Sequence, residues 1–176
     1  MHAADVVIDI TEVDSSAMYP LGQEFYAPAT SQASVTTSKP AANTGPRVWV
    51  YVFNDEASTA FAAGDIIMRD ATSTDSAGVL TTAGTLIPAI RLLGVAQHAI
   101  AAGSYGWILK RGVGEVKAGD GAAVTADNAL TSGGATTAGR ALNFAAGTTA
   151  PGCIFAYATE GASAEALATC MINCPG

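Results

Sequence analysis

The chain has 176 residues and a formal charge of −7. That is long enough for one domain with a sizeable core, since folding at this length hides roughly two thirds of the unfolded surface. Charged residues make up 13% and hydrophobic ones 49%, which excludes a charge-rich disordered tail. Eight Lys and Arg against fifteen Asp and Glu build no positive track for phosphate, so direct nucleic-acid binding is not expected.

Residues 1–46 differ from the rest. Residues 6–13 are rich in β-branched side chains and are predicted as one short strand, carrying Val6, Ile8 and Ile10. From residue 15 to 46 the chain holds four prolines, at 20, 28, 40 and 46, with aromatics only at Tyr19, Phe25 and Tyr26. A stretch this long without periodicity implies an extended arm, a binding loop or a segment folded back on its own domain. Residues 1–46 are therefore read as an N-terminal arm and residues 47–176 as the body.

The strongest strand signal is RVWVYVF, residues 47–53. Val50 lies on one face, and Trp49, Tyr51 and Phe53 lie on the other. Both faces are apolar, so burial on both sides is expected, by the core and by another element or subunit.

Short β-rich runs separated by glycine then follow: 66–68, 79–80, 85–87, 91–98, 105–109, 112–117, 123–124, around 130, 140–144, 153–159 and 167–174. This spacing predicts an all-β fold, a small glycine-turned β-barrel or β-sandwich with an extended N-terminal arm. Alanine occurs 37 times, yet beside glycine and threonine, so its helix propensity is discounted. One short helix is predicted at residues 163–167, capped by Ser163.

Chemistry is thin. A nucleophile triad would have to recruit His98 with Cys153, Cys170 or Cys174, and no local signature surrounds them. On one strand Cys170 and Cys174 would share a face about 13 Å apart, beyond the roughly 7 Å a disulfide spans, so buried thiols are expected. A zinc site would need that loose pair plus Cys153, His98 and His2. The aspartates at 65, 70, 75, 120 and 127 lie near turns without the twelve-residue calcium pattern. Neither a catalytic set, a metal nor a cofactor is expected. The stretch from residue 87 to 109 is interrupted by Pro88, Arg91, Gln97 and His98, so no membrane span is expected either. The first residues lack the basic start and apolar run of a signal peptide.

Residues 91–174 carry a recurring pattern: Leu93-Gly94-Val95-Ala96, then Ala101-Ala102-Gly103, Tyr105-Gly106-Trp107 and Gly112-Val113-Gly114-Glu115-Val116. After Ala123-Val124 and Leu130 come Gly133, Gly134 and Gly139, then Glu160-Gly161-Ala162 before the last strand. This order resembles the small β-rich decoration, or cement, proteins of tailed bacteriophage heads. The resemblance implies a non-enzymatic structural virion protein, assembled in the host cytoplasm. It would bind the major capsid protein on the outer capsid surface and stabilise contacts between capsomers. It also implies a homo-oligomer, dimer or trimer. In that setting Val6, Ile8, Ile10, Tyr19, Phe25 and Tyr26 of the arm would meet the partner, and Trp49, Val50, Tyr51 and Phe53 would form the core or oligomer strand. A carbohydrate-binding or adhesive β module is the alternative, and it predicts exposed aromatics such as Trp107, Tyr105 or Tyr157 lined up on one face.

Overall fold

A computed structural model describes residues 8–28, 45–72, 76–82, 87–119, 123–132, 137–144 and 154–176. Among them the fold is all-β. The strands are β1 (Val13–Asp14), β2 (Glu24–Ala27), β3 (Arg47–Asn54), β4 (Ile66–Arg69), β5 (Ala77–Leu80), β6 (Leu92–Val95), β7 (Tyr105–Lys117), β8 (Ala129–Ser132), β9 (Ala141–Asn143), β10 (Ile154–Ala158) and β11 (Leu167–Asn173). One turn of 3-10 helix, Ala89–Arg91, precedes β6.

Five strands close on themselves in the order β3-β5-β4-β6-β7, with β7 pairing back to β3. The β3–β5 contact is parallel and the others are antiparallel. Closure leaves this barrel without free edges. The two-residue period of its strands sorts the side chains into two cores. Val50 and Val52, Ile67, Leu93 and Ile108 point inward, joined by Phe61, Ala96 and Ile100 from the loops. Phe61 and Ile100 pair with each other across an isolated bridge. Trp49 and Tyr51, Ile66 and Met68, Leu92 and Val95, Trp107 and Leu109 point outward into a second, larger core. The wall is therefore apolar on both faces, which is why RVWVYVF reads apolar on both registers.

Strand β7 links the barrel to an outer sheet. The sequence divides it into residues 105–109 and 112–117, but it is a single strand of 13 residues. Between its two runs stands Gly112, with φ at 114°, a conformation that residues with a Cβ rarely adopt. The first half pairs with β3 and the second with β11, in register from Leu167 opposite Lys117 to Asn173 opposite Arg111. Beyond β11 lie β10, β8 and β9. Their inward residues, Phe155, Ala156, Ala158, Ala168, Cys170, Ile172 and Leu130, complete the larger core.

Three local expectations are corrected. In place of a helix over residues 163–167 there is a turn, closed by the Ala166 N–H donating to the Ser163 carbonyl at 3.1 Å. Glu165 sits there at φ 61°, a conformation no helix continues. In place of a strand over 6–13, the described part holds only Val13–Asp14 as strand. Asp9 accepts from the Thr11 N–H and hydroxyl at 2.9 and 2.7 Å, and this local turn competes with strand pairing. Val124 makes an isolated bridge to Ala162 rather than a strand. Thr85 and Leu86 of the strand predicted at 85–87 lie outside the described residues, as does Cys153.

Candidate functional site

Residues 8–28 do not stand off from the body. β1 pairs with Tyr105 and Gly106 of β7, and β2 pairs along β3 from Glu24 opposite Val50 to Ala27 opposite Arg47. Ile8, Ile10, Tyr19 and Phe25 pack against the larger core. The Tyr19 ring lies 5.2 Å from those of both Tyr51 and Trp107, and Phe25 lies 6.1 Å from Trp107. Tyr51 sits opposite Trp107 and Phe53 opposite Tyr105 in the β3–β7 register, with ring centroids at 5.1 and 4.8 Å. These cross-strand pairs are the unit of sheet stabilisation, and the N-terminal segment caps them. Tyr51 completes the seal by donating its hydroxyl to Asp14 at 2.6 Å and accepting from the Met18 N–H at 3.3 Å.

Among the residues singled out from sequence, Ile8, Ile10, Tyr19 and Phe25 thus face their own core. Tyr26 is 61% exposed, and Val6 lies outside the described residues. Trp49, Val50 and Tyr51 are buried and Phe53 half-buried. The outer face of β3 is covered by the chain's own N-terminal segment.

One cluster of ionisable groups ties elements together. Asp65, before β4, accepts from the Ala62 N–H at 2.8 Å and pairs with Arg140. Arg140 also reaches Glu165 at 3.4 Å, and Lys117 lies 3.9 Å from the same carboxylate. This node ties the barrel to β7, to the start of β9 and to the β10–β11 turn. Burial pushes the Asp65 carboxyl up, while the Ala62 N–H and Arg140 pull it down. Burial pulls His98 below its ordinary value, with the Asp9 charge opposing. The buried Cys170 thiol is pushed up to about 12 by desolvation, which keeps it protonated at neutral pH. Among the described residues no three His, Cys, Asp or Glu side chains gather as a metal site.

Sequence reasoning missed one surface. Met171 lies between Val113 of β7 and Tyr157 of β10 in the hydrogen-bonded register, and Tyr157 lies opposite Ala129 of β8. These residues form a transverse apolar row on the outward face, where Met171 is 47% and Tyr157 55% exposed. The signal available beforehand was the alternation in LATCMIN, which places Leu167, Thr169 and Met171 on one side and Ala168, Cys170 and Ile172 on the other. Trp107 is buried and Tyr105 half-buried. Of the three aromatics named for a glycan platform, Tyr157 is thus the exposed one.

No protein-family model matches this chain, and no curated protein matches it. Among solved structures it is similar to the N base of the head fibre gp8.5 of bacteriophage phi29. That likeness has a TM-score of 0.49 and 19% identity, and it covers 72% of this chain and 94% of that one.

Proposed function

We propose that this chain is a structural, non-enzymatic protein of a phage virion. It binds the major capsid protein on the outer surface of the head, as a dimer or trimer, and stabilises contacts between capsomers. The resemblance of residues 91–174 to head decoration proteins supports the reading. The observation that carries it is the arrangement of the N-terminal segment. Its root is stapled to the barrel by Tyr19, Phe25 and the Tyr51–Asp14 bond, while Tyr26 and Met18 are 61% and 67% exposed. Among the described residues β2, which bears Tyr26, ends the strand order, and an edge strand is a template for pairing with another chain. In this reading Ile8, Ile10, Tyr19 and Phe25 anchor the arm, and the exposed Tyr26 meets the partner. Many weak contacts repeated over a lattice sum through multivalency.

The test is co-sedimentation with phage heads that lack the protein. Saturation at a fixed ratio per capsomer is expected, weakened at least tenfold by Tyr26→Ser with Met18→Ser. A protein that stays in the supernatant at every ratio overturns the reading. Of the aromatics named for the glycan alternative, Tyr157 is exposed and Trp107 is enclosed by Tyr19, Phe25 and Tyr51.

A further inference from the structure

The outward face of β7, β11 and β10 has an order beyond its apolar row. Along β7 the outward side chains alternate from Arg111 through Val113 to Glu115, in register with Asn173, Met171 and Thr169 of β11. Arg111 is exposed at one end. At the other end, the Thr169 hydroxyl lies 3.2 Å from Glu160, which adds a second acid beside Glu115. Lys117, one step further on, faces the Glu165 carboxylate. The face is thus positive on one side of the row, apolar along it and negative on the other.

Such a face is complementary to itself under one operation. A two-fold axis lying along the row, in the plane between two facing sheets, returns each row residue onto its own copy and reverses the strand direction. Met171 then meets Met171 and Tyr157 meets Tyr157. Arg111 of each copy is set over Glu115 of the other, and Asn173 over Thr169. Sheets packed face to face lie about 10 Å apart with interdigitated side chains, a gap that Arg and Glu side chains reach across. An isologous contact requires this self-complementarity, and no other partner is demanded by it.

We propose that two copies of this chain dimerise face to face through the Val113–Met171–Tyr157 row, with Arg111 of each paired to the Glu115 end of the other. The inference deepens the oligomer part of the proposed function and names its surface. It stands or falls separately from capsid binding.

The experiment is sedimentation equilibrium on the purified chain and its variants, with circular dichroism to confirm that each is folded. A dimer is expected for the native chain, and a monomer for Met171→Glu and for Tyr157→Ser, which alter exposed positions. Arg111→Glu and Glu115→Arg should each raise the dimer dissociation constant at least tenfold. An equimolar mixture of those two variants should recover the dimer, because the axis sets each new charge opposite its complement. Three results would overturn the proposal: a native monomer, a trimer, or a dimer indifferent to both Met171→Glu and Tyr157→Ser. Failure of the mixture to recover would overturn the two-fold arrangement. A monomer that still saturates phage heads would remove this dimer and leave the capsid reading in place.

Discussion

Two side chains give the residue scale its sharpest expectations. Tyr51 is fully buried, yet its hydroxyl reaches Asp14 at 2.6 Å. Burial, reinforced by that carboxylate, raises the phenol's pKa well above its ordinary value, so the proton stays in place as a donor. A hydrogen bond to a charged group contributes about 1.5–3 kcal/mol. Tyr51→Phe keeps the ring contacts and should lose about that much, read as a lower urea midpoint with an unchanged slope. His98 is the second case. Its Nε2 is buried with no hydrogen-bond partner among the described residues, and its pKa is held below the ordinary 6.5 by burial. The unfolded chain therefore binds a proton before the folded one does. Stability is full above about pH 6.5 and falls as pH drops from there toward the folded pKa. Thermal midpoints measured at pH 7.5 and 5.5 should fall with acid in the native chain. His98→Gln should flatten that difference.

At the scale of elements, β7 decides the architecture. It belongs to the barrel at one end and to the outer sheet at the other, and Gly112, where the two halves meet, has φ 114°. A Cβ there would stand 2.7 Å from the Pro46 carbonyl oxygen. Gly112→Ala should therefore cost about 1–3 kcal/mol in backbone strain alone, measured as a lower melting temperature. The same substitution at Gly103, also at positive φ but with open space around it, should lack the steric part. Much of this was legible beforehand, because RVWVYVF, LLGV, YGWIL, GVGEV and LATCMIN are strand in the sequence reading and in the fold. The union of YGWIL and GVGEV was not legible. Glycine marks a turn and a bend with the same letter, and only the partners on either side distinguish them.

For the whole molecule, the question is what covers the barrel. The sequence separates residues 1–46 as an arm, but β1, β2, Tyr19 and Phe25 close the aromatic face of β3 and β7. Burying a large apolar side chain contributes up to about 1.5–3 kcal/mol, and a domain's net stability is about 5–15 kcal/mol. Removal of residues 1–28 should therefore leave a marginal body. Its tryptophan emission should shift to longer wavelength and it should bind a hydrophobic dye. A truncated chain with native emission would show the segment to be dispensable for folding. The candidate surfaces were legible unevenly. Tyr26 was singled out and is exposed. The row of Val113, Met171 and Tyr157 was not, because its members lie on three strands and are joined only by register.

By itself the sequence determined the all-β class, the glycine-turned rhythm and the two-sided apolar character of β3. Each rests on a local two-residue period or on local turn chemistry, which a short window contains. Tertiary structure alone decided that β3 and β7 close a barrel, that the second apolar face of β3 is covered by the chain's own N-terminal segment, and that Met171 stands between Val113 and Tyr157. Those are pairings between residues far apart in the chain. Their choice depends on which buried faces fit together, a quantity that no window of the sequence holds.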